Sequence, residues 1–282
     1  MTTVGLLHPG EMGAVVGGCL VSVGHEVLWD PSGRSRASTG RALAAELTGV
    51  TFARLVARAD VILSICPPHA ALDVAHQVAA AGYAGRYVDA NAISAATAGQ
   101  VAAVVTAGGA TYVDGGIIGP PPEAAGHTRL YLSGPHAAEI RPLFHRSRLD
   151  ARVADGSPYA ASTVKMAFAA WTKGSSALLL AARALARAGG VERTLLAEWA
   201  LSQPALGDQS EQAAHAAAAK GWRWVAEMEE IAASMEAAGL PPGFHEAAAE
   251  IYDRASRAGS PAGRPPAAAG PTTLDTVMSA LM

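Results

Sequence analysis

Three groups of residues in this chain have the types and spacing to do chemistry. The first is His8-Pro9-Gly10-Glu11-Met12-Gly13, set between the apolar run Val4–Leu7 and the helix-patterned stretch 14–23. Glycines at such a turn let the backbone approach a pyrophosphate and let the following helix sit close on its strand. The start of that helix then presents unpaired N–H groups to the phosphates. A complete dinucleotide-binding turn reads G-x-G-x-x-G. Here His8 stands at the place of the first glycine, while Gly10 and Gly13 supply the second and third. A non-glycine residue is possible at this tight-turn position if its φ is negative, and His8 is expected to be a partly exposed turn residue rather than a catalytic one.

The second group is Asp30-Pro31-Ser32-Gly33-Arg34-Ser35, at the end of the next apolar run, Glu26–Trp29. In a dinucleotide fold this position faces the adenosine ribose, where a carboxylate favours NAD and an arginine favours the 2′-phosphate of NADP. Both are present. A guanidinium holds a phosphate bidentately, so Ser32, Arg34 and Ser35 favour NADP(H) over NAD(H), with Asp30 turned aside or capping the loop. The third group is a pair of lysines in one long helical pattern. Lys165 has Ala161, Val164 and Phe168 around it, and Lys173 lies two turns further along.

The elements that must position these groups follow from periodicity. Val4–Leu7, Glu26–Trp29, Val61–Ile65, Tyr87–Asp89, Thr111–Asp114 and Leu130–Ser133 read as strands, with helical stretches at 14–23, 40–46 and 70–81. Such alternation implies a parallel sheet covered by helices. After about residue 157 the strand signals stop, and helical patterns run over 157–188, 193–202, 209–238 and 242–258, the third interrupted near Gly221. The expectation is an α/β Rossmann-type domain over 1–156 followed by an all-α domain over 157–282. A stretch rich in Pro, Gly and Ala from Gly259 to Thr272 is either loose or docked, and a short amphipathic piece follows at Leu274–Leu281.

Composition narrows the classes. Of 282 residues, 50% are apolar and 16% charged, enough for a large core. A net charge of −3 gives no electrostatic footprint for nucleic acid or an anionic membrane surface. No stretch reaches the ~20 apolar residues of a membrane span, and no targeting segment is evident, so a cytoplasmic protein is expected. Cys19 and Cys66 read as buried thiols. His245-Glu246 lacks the second histidine that a zinc helix motif needs.

With these residues in place, the chain resembles the β-hydroxyacid dehydrogenase group, which includes the 6-phosphogluconate and 3-hydroxyisobutyrate dehydrogenases. The resemblance runs over nearly the whole length: Gly10-Glu11-Met12-Gly13, Ile65-Cys66-Pro67-Pro68, Val88-Asp89-Ala90-Asn91, Asp114-Gly115-Gly116-Ile117-Ile118-Gly119, Gly156 with Lys165, and Lys220-Gly221-Trp222. The second half resembles the C-terminal domain of phosphogluconate-dehydrogenase-like oxidoreductases of unassigned substrate. The resemblance implies that Cys66, Pro67 and Pro68 lie beside the nicotinamide and that Gly115, Gly116 and Gly119 form a substrate loop. It implies that Lys165 moves the proton at the reacting oxygen, and that Lys220 belongs to the cofactor site. It also implies a homodimer whose C-terminal helices complete the cleft. A lysine held against an apolar face suits such proton transfer.

The departures are informative. Phe168 and Ala169 replace the asparagine expected after the lysine, Ile118 replaces the substrate-loop serine, and Pro120-Pro121-Pro122 follow where glycine is usual. Losing donors weakens recognition of a small hydroxy acid, so neither 6-phosphogluconate nor 3-hydroxyisobutyrate is expected as substrate. Asn91, which could touch the substrate or the nicotinamide ribose of the cofactor, and Thr172 are candidate replacements; each could instead serve its own backbone. Of Trp171, Trp222 and Trp224, at least two are expected in the core. The leading expectation is an NADP-dependent oxidoreductase acting on a hydroxy or keto compound. Reduction of a C=N group on the same fold and non-catalytic NADP(H) binding are the alternatives.

Overall fold

The computed structural model describes residues 1–259 and 273–282. The Pro/Gly/Ala-rich stretch expected to be loose or docked therefore lies almost wholly outside the described residues. Two compact units are present, Met1–Met166 and Ala167–Met282.

The first unit is built on eight strands: β1 Thr3–Leu7, β2 Glu26–Trp29, β3 Thr48–Gly49, β4 Val61–Ser64, β5 Arg86–Asp89, β6 Thr111–Ile118, β7 Arg129–Ser133 and β8 Asp150–Val153. They lie in the order β3-β2-β1-β4-β5-β6-β7-β8. The crossovers carry α1 Glu11–Val21, α2 Arg36–Ala44, α3 Phe52–Arg58, α4 Ala71–Ala80 and α5 Ala95–Ala107, and the short α6 Ala137–Ile140 follows β7. The central strands are short and buried on both faces; Val61-Ile62-Leu63-Ser64 is buried throughout, as a parallel strand covered by helices on both sides must be.

The sheet is not wholly parallel. β7 runs antiparallel to β6, pairing Gly116 with Tyr131, and β8 is parallel to β7. Strand order reverses between β1 and β4, and in doubly wound sheets ligands bind outside the carboxyl ends of the strands at that point.

Close approach of α1 to the sheet is set by a glycine. A Cβ on Gly17 would stand 2.9 Å from Leu47 Cδ2 and 3.0 Å from Leu6 Cδ2. The two cysteines are buried free thiols.

The second unit is helical: the continuation of α7, which spans Ala160–Ala188, then α8 Glu192–Ser202, α9 Leu206–Ala237, α10 Gly243–Gly259 and α11 Leu274–Leu281. Contrary to the sequence reading, α9 runs unbroken through Gly221. A Cβ there would lie 2.9 Å from Tyr252 O, so the glycine serves the packing of α10 on α9 and outweighs a propensity cost of about 1 kcal/mol. Units divide between Met166 and Ala167, not after residue 156, because the first two turns of α7 are tied to the sheet. Among the described residues no helix is long and apolar enough to cross a membrane.

Candidate functional site

β1 delivers the chain to the crevice at His8, whose φ is +65°. The negative φ on which a non-glycine residue here is conditioned is not what the turn adopts. The turn keeps the left-handed conformation that suits glycine, at a cost of order 1–3 kcal/mol for another residue. His8 O accepts from Gly10 N–H at 2.7 Å, and a Cβ on Gly13 would stand 2.5 Å from that same oxygen. Gly13 is thus required by helix–strand packing. Gly10, the N-cap of α1 with φ −71°, has nothing within 4 Å of a would-be Cβ. The protein itself does not need a glycine there; a ligand against the backbone would.

From the other side, the loop after β2 folds over as a turn. Asp30 Oδ1 accepts Ser32 N–H at 2.9 Å, and Arg34 N–H donates to Pro31 O at 3.1 Å. Asp30 therefore caps the loop, one of the two roles foreseen for it. Ser35 is the N-cap of α2, accepting Ser38 N–H at 3.2 Å, so its hydroxyl serves the helix rather than standing ready for a phosphate.

His8, Asp30, Ser32 and Arg34 line a cleft of about 580 Å³, together with Phe52, with Val74, Gln77 and Ala80 of α4 and with Ala81 that follows it. Two nitrogens of residues that line the cleft, His8 Nδ1 and Arg34 Nε, are buried with no hydrogen-bond partner among the described residues. Burial, reinforced by the Arg34 guanidinium, holds His8 well below an ordinary imidazole, at about 4. Apolar residues for a base and unpaired polar nitrogens in one cleft suit a nucleotide bearing a phosphate.

Beside this cleft, the ends of β4 and β5 are laced together. Asn91 Oδ1 accepts Cys66 N–H at 2.6 Å, and Asn91 Nδ2 donates to Ser64 Oγ at 3.2 Å. Asn91 is fully buried, so it positions the Cys66-Pro67-Pro68 loop, with both polar atoms of its side chain already engaged there. Burial pushes the Cys66 thiol up to about 12, so it is no nucleophile at neutral pH.

Lys165 is seated over the end of β6. A Cβ on Gly116 would lie 3.0 Å from Lys165 Cβ and 2.5 Å from Ala161 O; without a side chain, Gly116 lets α7 rest directly on the strand. Gly115 is equally constrained, since its Cβ would meet Asp89 O at 2.7 Å. At Gly119 φ is +121°, and a Cβ would strike His127 O. The helix is held by a cluster the sequence reading missed. Buried Asp114 accepts from Ser162 N–H at 2.9 Å, Ser162 Oγ at 2.5 Å and Ser133 Oγ at 2.8 Å. Burial raises the Asp114 carboxyl despite these donors. Lys165 itself is half-buried.

The remaining candidates belong to the second unit. Thr172 is exposed and donates to Phe168 O at 3.0 Å in its own helix, so it serves the backbone. Lys220 is exposed on α9. Lys173 forms a short ion pair with buried Glu227 and lies 5.5 Å from the Trp224 ring centroid, which makes it a scaffold lysine. Only Trp224 of the three tryptophans packs inward, edge-on to Tyr252. Trp171 is 76% exposed and Trp222 41%, against the expectation that two of them would be in the core.

Residues 186–255 match the family model described as a domain of unknown function, DUF1932. Among solved structures, a conserved protein of unknown function, described as structurally similar to 3-hydroxyacid dehydrogenases, is 26% identical with a TM-score of 0.67, covering 90% of this chain and 96% of its own. The 3-hydroxyisobutyrate dehydrogenase of Mycobacterium tuberculosis, solved with L-serine, is 19% identical with a TM-score of 0.67 over 100% of this chain and 99% of its own. A reductive aminase of Aspergillus terreus, in complex with NADPH and ethyl levulinate, is 18% identical with a TM-score of 0.57 over 100% and 98%. No curated protein sequence matches the chain.

Proposed function

We propose that this chain, which has the fold of the 3-hydroxyacid dehydrogenases and carries a DUF1932 domain at residues 186–255, is an NADP-dependent oxidoreductase acting on a hydroxy or keto compound, with Lys165 as general acid/base. The observation that carries the reading is the cleft at the strand-order reversal, whose lining residues His8 and Arg34 each carry a buried nitrogen with no partner among the described residues. Arg34 and Ser32 would hold the 2′-phosphate, and the wall from Phe52 and α4 would pack on the adenine. Gly10 and the start of α1 would receive the diphosphate. When bound, the nicotinamide supplies or accepts hydride at the reacting carbon. Protonated Lys165 would donate to the oxygen as negative charge develops on it, and the backbone at Gly115, Gly116 and Gly119 would orient the substrate.

The test is a carbonyl panel with NADPH, followed at the nicotinamide absorbance, on wild type and Lys165→Ala. The reading expects turnover of at least one carbonyl and its loss in the variant with the far-UV spectrum unchanged. Turnover that survives in Lys165→Ala would remove the lysine from the chemistry. Faster reduction when an amine accompanies the carbonyl would move the assignment to C=N reduction.

A homodimer through α7 belongs to the same proposal. Val164, Trp171, Leu178 and Leu185 recur every seventh residue and are 37%, 76%, 54% and 76% exposed, with Phe168 beside them at 45%. That heptad seam is what a helix presents to another helix, and a monomer would leave it in water. Trp171→Glu with Leu178→Lys is expected to give a monomer by light scattering; an unchanged mass would rule the seam out.

A further inference from the structure

His8 and Arg34 reach one concavity from two segments, the end of β1 and the loop after β2. Each brings a buried nitrogen that no described residue satisfies. Arg34 is a permanent cation. A neutral imidazole beside it offers one N–H and one lone pair, whereas a protonated imidazole offers two donors. The chain keeps a histidine at φ +65°, where a glycine would sit without strain, and an outlier of this kind at a binding turn points to a role for the side chain. The backbone of His8 is already committed to the turn through Gly10 N–H, which leaves the ring for the cleft.

A phosphate docked between the two side chains reverses the field at the imidazole. Without it, burial and the Arg34 charge keep the ring neutral at neutral pH. With it, a dianion supplies both the opposite charge and an acceptor, and each favours the protonated ring. The other charged group lining the cleft is Asp30, whose Oδ1 is engaged by Ser32 N–H. Phe52 of α3 and Val74, Gln77 and Ala80 of α4 bring no charge to it. Glu11, which opens α1, is the nearest carboxylate along the turn.

We propose that His8 is a second ligand of the 2′-phosphate and takes up a proton from solvent as that phosphate docks, so that NADPH binds with proton uptake and NADH does not. The inference rests on the reading of this cleft as the nucleotide site. Its consequence is a specificity device that strengthens as pH falls, by at most about tenfold per pH unit for one proton.

The experiment is calorimetric titration of the full chain with NADPH and with NADH at pH 7, each in two buffers of different ionisation enthalpy, on wild type and His8→Asn. Asparagine tolerates the left-handed conformation and does not titrate. Wild type is expected to take up a measurable fraction of a proton with NADPH and none with NADH, and His8→Asn to lose that fraction. Because the phosphate itself can exchange protons, the readout is the difference between wild type and variant. Equal uptake in both would overturn the proposal while leaving the nucleotide site standing; no binding of either nucleotide to wild type would overturn both. If His8→Asn does not fold, His8→Gly carries the same expectation.

Discussion

Arg34 and Arg183 are the same side chain in opposite circumstances. Arg183, in the helical unit, is 4% exposed and fully employed: Nε donates to Glu192 at 2.8 Å and Nη1 to Ser210 Oγ at 2.6 Å, while Arg187 joins the same carboxylate at 2.7 Å. Arg187 is also the leading reason the Glu192 carboxyl stays below its usual range. Arg34, in the sheet unit, has a buried Nε with no partner among the described residues and opens on a cleft. Desolvated donors are costly to leave unpaired, so a closed arginine marks scaffold and an open one marks a place completed by something else. Lys173, paired with buried Glu227, is closed in the same way as Arg183.

If Lys165 and Arg34 serve the chemistry and Arg183 holds the fold, substitutions should separate the two roles. Lys165→Ala should lower kcat by about 100- to 10,000-fold with an unchanged melting temperature. Arg183→Ala should do the reverse, costing roughly 1–3 kcal/mol of stability by removing the bonds to Glu192 and buried Ser210 while Arg187 still holds Glu192, with the NADPH-to-NADH affinity ratio untouched; denaturant midpoints and titrations together decide it. Gly13→Ala should lose roughly 1–3 kcal/mol through the clash with His8 O. Gly10→Ala, with open space around it, should barely move stability yet weaken nucleotide binding. A Gly10→Ala protein that binds nucleotide as wild type does would break the assignment of that turn.

The smallest effect is one of pH. With its folded value near 4 against 6.5 unperturbed, His8 binds protons more readily in the unfolded chain. Its contribution is intact above pH 6.5 and is lost as pH falls from there towards 4. The urea midpoint of His8→Asn should therefore drop less between pH 7 and pH 4.5 than that of wild type.

Much of this is legible in the amino-acid sequence. The six strands that carry apolar runs, the turn at Gly10 and Gly13, and the change to helices after the sheet all follow from patterning. β3 and β8 were not readable, one because it is two residues long and the other because it is half-exposed and carries no strong alternation. α3 is short, and α5 is so rich in alanine that periodicity has little contrast to show. At the site, chemistry-bearing types stood out and their allegiances did not. Asn91, Ser35 and Thr172 are polar residues of the right kind whose hydrogen bonds go to their own loops and helices. The Asp114–Ser133–Ser162 cluster joins residues far apart in sequence, and no local pattern announces it.

The central claim is that the cleft beside Arg34 takes a nucleotide bearing a 2′-phosphate. Its most direct test is a paired titration of NADPH and NADH, followed by quenching of tryptophan fluorescence, on wild type and Arg34→Ala. The account predicts that wild type prefers NADPH and that Arg34→Ala loses about 1.5–3 kcal/mol of NADPH affinity with NADH unchanged. Equal affinities in wild type, or a preference that survives in Arg34→Ala, would contradict it.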